Sequence, residues 1–466
     1  MWIRLRQWGA NCHSGVDLCG AAGGLLRPKP AADSSIPNDR RRSDYGVTLG
    51  RFLLLSIPVV GLLSVPVPSV AVRVGETVRD LAIFDLVLAA CWVVAVTNLA
   101  RARGFRCREE WVAWLVVLVA NVPFALSPLA SYFVTQGRNL LAGVVVHLQR
   151  LGLAAVVVPL SVQSKLHRVR DWLVLSIVCS AVLLTFGRPL QAALGISLPA
   201  GWFGQRSTGA VGNPNTLGYI AILQLLMLVS LGDGCLSPHV RLLLPFGIAC
   251  SLVALAEGAS RSAAMSLLFA GAYLVARRPS LRLASVAVLG LTLVVGYALF
   301  VGAGQSLLWQ RMTRIDFSDP NMGDVNIAAR MQRQMSALAV AVRYPLGAGI
   351  LNIDTVLSGG MQPVATTDNL FTDYLCTVGW FGLGSVLWLF LLMWHGTRAS
   401  TLEGLAAHSL LVAVLFMSLA SVGLAINFVS RLAFLGVGLG MSSGTWVGCE
   451  RGTPGPASHS LERLTD

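Results

Sequence analysis

Charge is scarce in this sequence. Only 12% of its 466 residues are Asp, Glu, Lys or Arg, while 55% are hydrophobic, which excludes an ordinary soluble globular protein of this length. No CxxC pair occurs among the nine cysteines, Cys12, Cys19, Cys91, Cys107, Cys179, Cys235, Cys250, Cys376 and Cys449. That argues against a disulfide framework, and the thiols read as core or reduced cytosolic groups. No helix-turn-helix, zinc-finger or aromatic-plus-basic pattern is present, so nucleic acid is not an expected partner despite a net charge of +13. DxD, HExxH and P-loop motifs are missing, so neither a metal nor another cofactor is expected. No apolar run follows Arg4 and Arg6, which argues against a cleavable signal peptide. Nor do the two halves of the chain repeat each other, as they do in many transporters.

What the chain does have is long apolar blocks, each near the length that crosses a bilayer as a helix. They predict an all-α multi-pass membrane protein with about twelve spans. These run over 48–69, 81–100, 111–130, 139–162, 171–187, 216–232, 240–257, 262–276, 283–303, 370–394, 404–423 and 427–447. Residues 1–46 read as a disordered basic cytoplasmic tail, 47–447 as the membrane domain and 448–466 as a second cytoplasmic tail. The loops alternate in charge. Arg101/Arg103/Arg106/Arg108, Lys165/Arg168/Arg170, Arg277/Arg278/Arg282 and Arg398 fall on one side, which the positive-inside rule makes cytoplasmic. The opposite, external side receives the one long polar insertion, 304–369, between the ninth and tenth spans. A loop of this length tends to be functional.

Four stretches on the external side carry candidate chemistry. In the first, Gln205-Arg206-Ser207-Thr208-Gly209 leads through Asn213-Pro214-Asn215 into the sixth span. Turn residues before a helix expose N–H groups to an anion, and Arg206 adds a fork suited to phosphate. The same residues also suit a plain helix-start turn. In the second, Ser260-Arg261, the arginine opens a helix where its charge opposes the dipole, a cost that a bound anion would offset. Snorkelling, or pairing with Glu257, is the structural alternative. The third is Arg343-Tyr344-Pro345-Leu346-Gly347-Ala348-Gly349. A helix over 328–342 precedes it, with Met331, Met335, Leu338 and Val342 on one apolar face and Arg330 and Arg333 at its border. That helix is expected to lie along the membrane surface or to roof a cavity. The fourth is Asp368-Asn369, before Val378-Gly379-Trp380-Phe381-Gly382. Asp368 suits a general base and equally an N-cap.

In this order and on these helices, the four stretches resemble the O-antigen ligase/polymerase superfamily, the Wzy-like and WaaL-like membrane glycosyltransferases. Its signatures are Arg-x-x-Gly, Asn-Pro-Asn, Ser-Arg, an arginine before Pro-x-Gly-x-Gly, and His-Asn before the tenth helix. They stand here as Arg206/Gly209, Asn213-Pro214-Asn215, Ser260-Arg261, Arg343/Pro345/Gly347/Gly349 and Asp368-Asn369, and the resemblance covers roughly 172–394. It departs from the family in two places. Asp368 replaces the histidine, and Thr377-Val378 stand where the family often has an acidic residue. Both departures weaken lipid A ligation specifically.

The resemblance implies a GT-C-like fold and a metal-independent, inverting glycosyltransferase of the bacterial inner membrane, acting on the periplasmic face. The implied donor is an undecaprenyl-diphosphate-linked glycan. The acceptor would be a lipid-linked glycan, a lipid A core or a protein hydroxyl, with membrane lipids as surroundings. Asp368, Arg261 and Arg206 are the implied catalytic residues, and Arg343, Arg330, Asn213, Asn215 and Asn369 the substrate-binding ones. A twelve-span transporter of polysaccharide or a small solute is the alternative. Separately, His147 and Arg150 share one face of the fourth span. Intramembrane charge of this kind marks either function or a structural pair with carbonyls or Asp85.

Overall fold

The protein is described by a computed structural model over residues 37–63, 70–74, 77–81, 83–102, 104–105, 107–135, 140–193, 214–232, 234, 236–258, 260–277, 325–349, 369–420 and 427–450. The chain divides into a short unit, Met1–Arg42, and a large one, Ser43–Asp466.

The architecture is helical. In chain order the helices are α1 (Pro37–Leu63), α2 (Ile83–Ala102), α3 (Arg108–Thr135), α4 (Leu140–His147), α5 (Val157–Gln163) and α6 (Arg170–Ala193). They continue with α7 (Pro214–Gly232), α8 (Pro238–Gly258), α9 (Arg261–Arg277), α10 (Val325–Arg343), α11 (Leu370–Gly396), α12 (Leu402–Ala420) and α13 (Asn427–Glu450). Among the described residues, seven helical segments are long and apolar enough to cross a membrane, and three shorter ones are apolar. The ninth expected span, 283–303, lies outside the described residues; the fourth is divided, and each of the others overlaps one helix. α1 starts at Pro37, inside the segment read as tail, and α13 runs past 447 to Glu450.

The fourth span is not one regular helix. A π-helical turn, Leu148–Gly152, and a 3-10 turn, Ala154–Val156, separate α4 from α5. Also unforeseen is an antiparallel hairpin, β1 (Val70–Val74) with β2 (Thr77–Leu81), in register Val74↔Thr77. The alternating Val70, Val72 and Val74, with Gly75-Glu76 before a second β-branched run, is the sequence signal for it.

The loops that charge alternation puts on one side do meet at one end of the bundle. There Arg170 pairs with Glu403 at 3.2 Å and Arg398 with Glu109 at 3.2 Å. Gln163 donates to Glu110, and Arg51 to the Ser164 carbonyl. The apolar core lies between these ends. α7 and α13 are deeply enclosed, with Tyr219, Ile220, Leu223, Met227 and Leu231 of α7 fully buried and α13 buried throughout 429–444.

Candidate functional site

The first two motif stretches meet at the N-termini of α7 and α9. Proline opens α7, where its missing N–H costs nothing and its φ suits a helix. One turn on, the buried Tyr219 hydroxyl lies 2.6 Å from Ser262 Oγ in the first turn of α9. Ser260 caps α9 by accepting the Ala263 N–H at 3.4 Å, and its hydroxyl is 3.2 Å from that of Ser262. Gly218 lets the two helices touch, since a Cβ there would sit 2.9 Å from Ala263 Cβ and 3.3 Å from Ser260 Cβ. Two positive helix ends therefore lie side by side, with Asn215 in the first turn of one and Arg261 as first residue of the other. Arg206 and Asn213 lie outside the described residues, as does the side chain of Arg261.

The last two stretches meet at a break in α11. Gly379 takes φ 73° and ψ −159°, which interrupts the helix and strands the carbonyls of the turn before it. The segment after α10 fills that gap. Ala348 N donates to the Cys376 carbonyl at 2.7 Å and Gly349 N to that of Thr377 at 2.8 Å. In return, Trp380 N donates to the Pro345 carbonyl at 3.2 Å. The fit demands glycine. A Cβ on Gly379 would overlap the Pro345 carbonyl oxygen, and one on Gly347, itself at φ 86°, would overlap that of Thr377. The break was not foreseen, because glycines inside a long apolar run still read as helix.

The N-cap of α11 is Asn369, so the capping role considered for Asp368 belongs one residue later. Its Oδ1 accepts from the N–H groups of Phe371 at 2.9 Å and Thr372 at 3.4 Å. Its Nδ2 donates to the Leu419 carbonyl at 3.0 Å, tying α11 to the end of α12. α12 packs in turn against α7 and α9, with Phe416 stacked on Phe269 at 3.8 Å. Through α12, the paired N-termini and the broken helix belong to one end of one helix group. Asp368 lies outside the described residues.

On α10 the face read as apolar is turned outward, with Met335 67% and Val342 76% exposed and Leu338 exposed as well. The helix packs on α11 through Ala337, Val340 and Ala341, and Cys376 Sγ donates to the Ala337 carbonyl at 2.9 Å. Small residues let helices approach closely, while a bilayer accepts the large ones. Positions 330 and 333 fall two turns and one turn before Ala337, on this inward side. Arg343 is exposed at the C-terminus of α10, where its charge suits the dipole, and its guanidinium lies 5.6 Å from the Tyr344 ring centre.

His147 is buried and bonded. Its Nε2 lies 3.0 Å from the Ala120 carbonyl, as the structural alternative expected, and its Nδ1 lies 3.5 Å from the Tyr374 hydroxyl. Asp85 pairs with Arg431 of α13 at 3.1 Å, and both are buried. Sequence reasoning had proposed Asp85 for Arg150 and missed Arg431, whose partner stands far back in the chain.

Residues 246–387 match a family model described as O-antigen ligase (Wzy_C). The resemblance to the O-antigen ligase/polymerase superfamily holds over these residues. The matched residues include Ser260-Arg261, Arg343 to Gly349 and Asp368-Asn369; Arg206 to Asn215 precede them. No curated protein matches the chain.

Proposed function

We propose that this chain is an inverting, metal-independent glycosyltransferase of the bacterial inner membrane. Its donor is a glycan on undecaprenyl diphosphate, and transfer takes place on the periplasmic face. The carrying observation is that the matched residues 246–387 take part in two docked arrangements at one end of one helix group: the α9 N-terminus set against that of α7, which precedes them, and the broken, loop-filled α11.

The chemistry fits that layout. A diphosphate leaving group needs fixed positive charge, and adjacent helix N-termini with Arg261 and Arg206 offer it. Asp368, directly before the capped helix, is the base that takes the acceptor hydroxyl proton. Arg330 joins from the inward side of α10. Arg343, at the C-terminal end of that helix, and Asn213, Asn215 and Asn369 are the substrate-binding residues of this reading. An aspartate in place of histidine favours a polymerase, with a lipid-linked acceptor, over a lipid A core ligase.

The break in α11 would also suit a transporter, whose unwound helices line a substrate path. Here, however, the chain's own Pro345–Gly349 segment already takes the freed carbonyls of Cys376 and Thr377. Glycan length in cells carrying Arg206→Ala or Arg261→Ala tests the proposal. Each substitution should abolish elongation at normal protein level, and full elongation in both would remove the diphosphate clamp.

A further inference from the structure

The first half of α11, Leu370–Val378, is cut off from the second half at Gly379, so helix continuity does not hold it in place. It is positioned from the side instead. Asn369 reaches α12, Cys376 reaches α10, and the backbone of Ala348 and Gly349 binds its end. α11 also packs directly on α3, and a further tie to α3 runs through Tyr374 to His147.

The Ala120 carbonyl can only accept, so His147 Nε2 carries the hydrogen of that bond, and the Tyr374 hydroxyl lies within reach of Nδ1. The bond is long at 3.5 Å. The rings add an edge-to-face contact at 6.2 Å and 72°, which keeps the pair together. His147 is the last residue of α4 before the π-helical turn, a feature often found beside functional sites. That turn ends at Gly152, where a Cβ would lie 2.6 Å from Asn121 Oδ1, so α4 is pressed against α3 at the level of Ala120.

A satisfied core histidine is the plain reading of such a residue. Its location says more, because Tyr374 lies beside Asp373 in the turn that follows the Asn369 cap. The geometry points to His147 and Tyr374 as positioning residues for glycan transfer: they hold the first half of α11, and with it the Asp368-Asn369 segment, against the rest of the site. This rests on the transferase reading. The pair acts through α11.

The test uses the full chain in lipid vesicles, supplied with undecaprenyl-diphosphate-linked glycan from the host. Misplacement of a reacting group without loss of binding shows in kcat, so Tyr374→Phe and His147→Ala should each lower kcat roughly tenfold, with KM for the donor changed less than about twofold. Residues of one tie do not add, so the double variant should fall no further. His147→Gln, whose amide both donates and accepts, should recover most of the loss. Wild-type kcat in both single variants, losses that multiply, or a change confined to KM would overturn the proposal. Thermal unfolding of the same set reads the tie without activity. Non-additive shifts are expected, and additive shifts would overturn it even if a variant were too unstable to assay. A wild-type chain that transfers no glycan contradicts the proposed function, while the unfolding cycle still decides the tie.

Discussion

At the scale of single residues, Asp368 and Asn369 separate cleanly. Asn369 does the capping, with Oδ1 on two N–H groups and Nδ2 on α12. Losing such a cap costs about 1 kcal/mol, so Asn369→Ala should lower the unfolding temperature measurably. Asp368→Asn should leave that temperature unchanged and abolish elongation, because a charge is removed and no cap is. An active Asp368→Asn chain would move the base role to another carboxylate, with Asp373 and Asp354 next in line. Asp85 and Arg431 form the other pair with a sharp expectation. Both charges are buried, so removing one partner leaves the other stranded at a cost of about 3–5 kcal/mol. Asp85→Ala and Arg431→Ala should each unfold well below the parent, and the double variant should regain part of the loss.

At the scale of elements, the account turns on the join between the Pro345–Gly349 segment and α11. Gly379→Ala places a side chain into the Pro345 carbonyl at a backbone angle that alanine rarely adopts. Gly384, in the second half of the same helix, has open space around it. Limited proteolysis should therefore cut the region between α10 and α11 faster in Gly379→Ala, and at the parental rate in Gly384→Ala. The sequence was most legible where physics leaves little choice. Runs such as 216–232 and 370–394 must be helices in a bilayer, and helices duly occupy them. It was least legible where tertiary packing decides. Met335, Leu338 and Val342 form the stronger apolar stripe on α10, yet Ala337, Val340 and Ala341 are the packed ones. The π turn after His147 and the break at Gly379 leave no mark in hydropathy, because both change hydrogen bonding without changing composition.

At the scale of the whole molecule, the ordering of motifs along the chain became an arrangement in space. Ser260-Arg261 reached the Asn-Pro-Asn helix through Tyr219 and Ser262, and Pro-x-Gly-x-Gly reached the tenth expected span through the backbone at Cys376 and Thr377. Spacing in sequence gave no measure of either contact, since each bridges more than a loop. The candidate residues Arg206, Asn213 and Asp368, and the side chains of Arg261 and Arg330, fall outside what is described, so their roles rest on position and chemistry. What links these parts is the claim that this end of the helix group breaks a sugar–diphosphate bond. The most direct measurement is reconstitution of the purified chain in liposomes with undecaprenyl-diphosphate-linked glycan, following both glycan length and free undecaprenyl diphosphate. The account predicts longer glycan and one lipid diphosphate released for each new glycosidic bond, dependent on the chain. Passage of intact donor across the bilayer, with neither product formed, would contradict it.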